Sequence, residues 1–151
     1  MRYFTIKELT DSQTARARGI DNTPDAEHER NLRTLVAAVL DPLREAYGKP
    51  IRVTSGYRSP RLNSAVGGVK KSHHSRGMAA DIVGTPNTGK ENRRLYDLIK
   101  ELGLPFSQRI HEKGSLMAGP RWVHVSYDPQ DRREESLYTL DGKSYHPWPF
   151  S

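Results

Sequence analysis

Six histidines and no cysteine limit what this chain can do with its side chains. Without thiols there is no disulfide framework, no thiolate metal site and no cysteine nucleophile. A metal would have to be held by His, Asp or Glu. Two histidine contexts are informative. In Ser72-His73-His74-Ser75-Arg76-Gly77-Met78-Ala79-Ala80-Asp81, an Asp comes seven positions after His74. A turn at Gly77 lets the chain fold back, so that a loop histidine and a strand aspartate can converge, and Ala79 and Ala80 leave room beside them. Neutral imidazole plus carboxylate suits Zn²⁺. In Trp122-Val123-His124-Val125-Ser126, strand alternation puts Trp122, His124 and Ser126 on one face and the two valines on the other. His74, Asp81 and His124 would make three protein ligands and leave a fourth position for water, the arrangement that separates a catalytic zinc from a structural one. Zinc lowers the pKa of such a water to about 7. Taken singly, a strand histidine is more often a hydrogen-bonded structural residue, and a His-x6-Asp spacing is a weak signal. The joint pattern is what points to a metal.

Ser72-x-His74-x-x-Gly77-x-Ala79-x-Asp81, followed by Trp122-Val123-His124-Val125, resembles the zinc D-Ala-D-Ala carboxypeptidase family. That family belongs to a wider group of peptidoglycan metallopeptidases sharing its fold with the hedgehog signalling domain. Thr54-Ser55-Gly56-Tyr57-Arg58-Ser59 resembles the family's Ser-Gly-Tyr-Arg-Ser stretch, and the likeness covers roughly Phe4 to Tyr145. It implies a His/Asp/His zinc site, a hedgehog/DD-peptidase-like α+β fold, and hydrolysis of peptide bonds in cell-wall stem peptides. The activity implied is of the D-Ala-D-Ala carboxypeptidase or L-Ala-D-Glu endopeptidase type. The resemblance aligns His74 rather than His73 with the ligand. It matches Arg58 with an arginine that binds substrate carboxylate or stabilises charge near the scissile bond, as a planar guanidinium fork is suited to do. Ser55, Tyr57 and Ser72, in the same motif segments, are expected to contact substrate. One departure stands out. Many relatives carry Glu or Asp three residues before the last zinc histidine, and here that position is Arg121. The nearest acid upstream is Glu112, as in the branch that includes the hedgehog domain, where the acid ends the preceding strand. Glu112 is therefore expected to be the general base. Asp128 is a weaker rival, and His111 should point to the opposite face.

The elements that must position these residues are legible in outline. At 151 residues the chain fits one domain over 1–151, and 34% hydrophobic content implies a modest core with plentiful loops. Residues 1–23 read as a polar entry segment anchored by Phe4 and Ile6. Thr23-Pro24 reads as an N-cap followed by proline at the first helical position. The helix it opens carries Leu32, Leu35, Val36, Val39, Leu40 and Leu43 on one face up to Tyr47, with Gly48 as its stop. Pro42 should kink or divide it. Short strands are expected at 51–54, 79–83, 108–112 and 122–126. A short helix should follow Ser59-Pro60, and a strong amphipathic one should run from Gly89 to Leu102. Asp141-Gly142 signals a hairpin turn in the tail. The helices come before and between strands too close together for regular βαβ units, which predicts an α+β fold with a small, largely antiparallel sheet flanked by helices.

The net charge of +6 and pI near 9.7 favour anionic partners, a cell wall or nucleic acid. The basic residues are spread out, with no Lys/Arg block and no aromatic-interleaved ribbon, so no nucleic-acid partner is expected and a monomer is. No apolar run is long enough to span a membrane, and the N-terminus lacks the apolar stretch of a signal peptide. The expectation is a protein made in the cytoplasm that reaches the cell wall after release or as part of a virion, in the manner of a phage or prophage endolysin. A non-catalytic, zinc-stabilised cell-wall-binding module is the alternative.

Overall fold

A computed structural model describes residues 1–150. The entry segment, for which the sequence indicated no regular element, is partly helical. Two short helices form there, α1 (Ile6–Thr10) and α2 (Gln13–Arg18). Thr5 and Glu8 make a reciprocal capping box at the start of α1, and Ser12 caps α2 by accepting from the Ala15 amide. Leu9 and Ala15 are buried beneath them. Few apolar residues mark helices this short, which is why periodicity did not reveal them.

The long helix begins at α3 (Ala26–Leu35), two residues later than Thr23-Pro24 suggested, because Asp25 supplies the cap by accepting from the His28 amide at 2.8 Å. It then widens into a π turn, Val36–Leu40, and resumes as α4 (Asp41–Tyr47), which Gly48 ends. The widening is the division that Pro42 foretold. The proline ring has no N–H and would collide with the carbonyl four residues back. The Asp41 amide instead reaches five residues back, to Val36.

Six strands make one sheet: β1 (Arg52–Ser55), β2 (Ala79–Val83), β3 (Gln108–Glu112), β4 (Trp122–Ser126), β5 (Glu135–Thr139) and β6 (His146–Pro147). Their order is β1-β2-β4-β3-β5-β6, and every pairing is antiparallel except β3 with β5. Helix α5 (Pro60–Ala65) follows β1, capped by Ser59. Helix α6 (Gly89–Glu101) crosses between β2 and β3 and packs on β2, β3 and β4. The architecture is the expected α+β one. The core joins the apolar stripe of α3 and α4 to Leu95, Leu98 and Ile99 of α6, and to Ala80, Ile82, Val123 and Val125 on one face of the sheet. Burying alternate residues on that face leaves the intervening ones, Asp81 and His124 among them, on the other. Among the described residues, no helix is long and apolar enough to cross a membrane.

Candidate metal centre

Two adjacent strands and one tight turn build the site. Asp81 of β2 stands directly opposite His124 of β4, which stands opposite Ile110 of β3. Directly paired residues share a face of a sheet. The Asp81 carboxylate Oδ1 accordingly lies 3.1 Å from His124 Nδ1. His74 arrives from a single 3₁₀ turn, His73–Arg76, which Ser72 caps by accepting from the His74 amide at 3.1 Å. Gly77 closes the turn at φ +71, and a Cβ there would run into the His28 carbonyl. Glycine is required on both counts.

The tautomers follow from the partners. His74 Nδ1 is 2.7 Å from the Gly56 carbonyl, which can only accept, so Nδ1 carries the proton. Nε2 faces Asp81 Oδ1 at 3.3 Å. His124 presents Nδ1 instead. These two nitrogens and an Asp81 oxygen lie within 4.8 Å of one another, and together they could hold a metal ion. The donor set is right for a borderline ion, and the carbonyl behind His74 is the outer partner that metal-binding imidazoles ordinarily have. Burial opposes ionisation of Asp81, but the His74 and His124 imidazoles outweigh it and hold the carboxyl well below the usual range. It is a carboxylate at any working pH. His73 sits beside the cluster, half-buried and not part of it. Burial lowers its pKa to about 4.

Arg58 lies in the same cleft, with its guanidinium largely engaged. Nε donates to Ser55 Oγ at 3.1 Å, Nη1 to Asn63 Oδ1 at 3.3 Å and Nη2 to Asp81 Oδ2 at 3.5 Å. Its backbone N–H donates to the His74 carbonyl at 3.0 Å, tying the arginine loop to the histidine turn. The three residues expected to contact substrate have other work. Ser55 orients Arg58, and Ser72 caps the His74 turn. Tyr57 is 4% exposed, belongs to the core, and has its hydroxyl 3.3 Å from His28 Nδ1, so it does not line the cleft. β1 ends at Ser55, and the backbone then turns so that the Tyr57 amide donates to the Leu9 carbonyl of α1. Asn63 and the Gly56 carbonyl were not foreseen. Asn63 is buried, and its amide also donates to the Val69 carbonyl at 2.7 Å. A backbone carbonyl has no residue-type signature, and an asparagine in a short helix has little more.

Glu112 ends β3 opposite Trp122, two residues beyond Ile110 and on the same face as His124. It is 7% exposed, and burial pushes its carboxyl up to about 7. The Asp81 carboxylate adds to that rise, while His124, Lys113 and Arg58 oppose it. A carboxyl poised near neutrality beside such a cluster is suited to accept and return a proton. Asp128 pairs with Arg76 at 3.4 Å and is not in the cluster. Arg121 is exposed, and its amide donates to the Glu112 carbonyl. His111 points to the other face of the sheet, as alternation required, and is fully buried there.

The family model described as Peptidase M15 matches residues 2–125. The chain belongs to the peptidase M15 family. No curated protein sequence matches this M15 member. Among solved structures it is similar to the L-Ala D-Glu endopeptidase ChiX of Serratia marcescens. The likeness covers 70% of this chain and 89% of that one, at 22% identity and a TM-score of 0.42.

Proposed function

We propose that this M15 protein is a zinc-dependent peptidase that hydrolyses peptide bonds in peptidoglycan stem peptides. The observation that carries the reading is one face of one sheet. That face pairs Asp81 with His124 and carries Glu112, and the 3₁₀ turn adds His74, so that one ligand atom from each of His74, Asp81 and His124 lies within 4.8 Å of the others. His74, Asp81 and His124 would hold the metal. When bound, zinc supplies Lewis-acid polarisation and acidifies water to a pKa of about 7.

The chain's own residues do the rest. Glu112 accepts a proton from the attacking water and delivers it to the amine that leaves, so one carboxyl serves as base and then as acid. Arg58 fixes the orientation of Asp81 and directs its remaining N–H groups toward substrate oxygen or carboxylate. Ser55 and Asn63 keep the guanidinium plane in place.

The test is digestion of purified peptidoglycan and of synthetic stem peptides by zinc-loaded and chelator-stripped protein, with products identified by mass. Release of new amino termini that stops on chelation and returns with zinc is the expected result. Zinc-dependent binding to cell wall without any cleavage would instead make the chain a wall-binding module. Cleavage that persists after complete removal of metal would refute the zinc centre.

A further inference from the structure

Two cations flank the metal-ligand row, and they differ in what they are doing. Arg58 is on the β1–β2 side, hydrogen-bonded to Ser55, Asn63 and Asp81. Lys113 is on the β3–β4 side, immediately after Glu112. Among the described residues, no carboxylate lies within ion-pairing distance of its ammonium. Its Nζ is instead 5.5 Å from the centre of the Trp122 ring. Trp122 shares its face of β4 with His124.

The backbone aims the side chain there. In a regular strand Lys113 would point away from Glu112, to the core side. At φ +59 it adopts the left-handed conformation that residues with a Cβ rarely take. Such strain is retained where the surroundings over-determine it, commonly at functional sites. The Lys113 amide is fixed by the Thr139 carbonyl at 2.7 Å. Space for the stem is left by Gly142, where a Cβ would come within 3.0 Å of Lys113 Cε. Tyr145 hydrogen-bonds the Gly142 carbonyl at 3.4 Å, and its hydroxyl is raised by burial and by the charges of Glu112 and Asp81. This tail loop therefore packs against the Lys113 stem.

An ammonium held on an aromatic wall keeps its charge and its hydrogen-bonding capacity for something that arrives. We propose that Lys113 is a specificity-determining residue. It pairs with a free carboxylate on the substrate beside the scissile bond, Trp122 forming the wall of that subsite. The proposal rests on the peptidase reading above. A stem peptide carries more than one free carboxylate; the one assigned to Lys113 is the α-carboxylate of the D-glutamyl residue, which flanks the L-Ala–D-Glu bond and becomes a neutral carboxamide when amidated. The preferred substrate class is the unamidated, acidic stem.

Two synthetic stem pentapeptides differing only in D-glutamyl α-carboxylate or α-carboxamide test this. Binding is measured by calorimetry on zinc-loaded Glu112→Gln, with Lys113 intact and with Lys113→Met or Lys113→Arg added. A lost charge-assisted hydrogen bond corresponds to about 10- to 100-fold in affinity. With Lys113 intact, the acidic peptide should bind tighter than the amide by that factor. Lys113→Met should weaken only the acidic peptide and leave zinc content unchanged, and Lys113→Arg should restore part of the preference. In the otherwise native protein, the same discrimination should appear in KM and not in kcat. Equal affinity for the two peptides with Lys113 intact, binding of neither, or a preference that survives Lys113→Met would each overturn the proposal. Selective binding of the acidic peptide without cleavage by the native protein would sink the peptidase reading and leave the Lys113 subsite standing.

Discussion

His111 and Glu112 are neighbours on one strand, both buried, and they face opposite worlds. Glu112 looks across to His124 and Asp81, and burial raises its carboxyl to about 7. His111 is fully buried between Tyr96, edge-on at 5.6 Å, and Trp148, stacked at 5.0 Å. Neither of its ring nitrogens has a hydrogen-bond partner, and burial lowers its pKa to about 4. The same desolvation acts on both, disfavouring charge in each case. For an acid the result is a proton held into the neutral range. For an imidazole it is a ring kept neutral and apolar in behaviour. Perturbation alone therefore does not mark a catalytic group. What distinguishes Glu112 is the company on its face: three convergent ligands and two cations, against two aromatic rings and a tail.

The comparison can be broken most decisively at the ligands. His74→Ala should abolish stoichiometric zinc binding and bring hydrolysis below detection, whereas His73→Ala should keep close to one zinc per chain by elemental analysis. Loss of metal from the His73 variant alone would reverse the assignment. Next, Glu112→Gln should lower kcat by about 10²- to 10⁴-fold while zinc content stays normal. Near-normal turnover would move the proton transfer to another group, and lost zinc would make Glu112 a ligand.

The opposite face gives a prediction about stability and not activity. The folded-state pKa of His111 lies near 4, below its ordinary 6.5. Its contribution is therefore fully present above pH 6.5 and is lost as the pH falls toward 4, where the unfolded chain binds the proton more readily. His111→Leu should remove on the order of 3 kcal/mol of that acid sensitivity, read from denaturant midpoints at pH 7 and pH 4.5, with kcat unchanged. An identical pH slope in both proteins would show that His111 finds a partner in solution. The smallest effect is expected at Arg58. Arg58→Lys keeps the charge and loses the planar fork, so kcat/KM should fall about tenfold, with Arg58→Ala falling further. A Lys variant of full activity would mean that the hydrogen bonds to Ser55 and Asn63 are dispensable.

Local patterning carried the centre a long way. Period-two alternation set the faces of Trp122, His124 and Ser126 and placed His111 and Glu112 on opposite sides. The apolar stripe from Leu32 to Leu43 and the position of Pro42 foretold a helix interrupted near its middle. These are consequences of backbone geometry over a few residues, and a sequence displays them directly. Other features depended on partners distant along the chain. The Gly56 carbonyl selects the His74 tautomer, the pairing of β2 with β4 brings Asp81 against His124, and the turn after β1 buries Tyr57 against α1 instead of opening it to the cleft. The parallel pairing of β5 with β3 and the left-handed backbone of Lys113 belong to the same class. Strand register, backbone acceptors and forced dihedrals are settled by which segments pack together, and no single stretch of residues states them in advance.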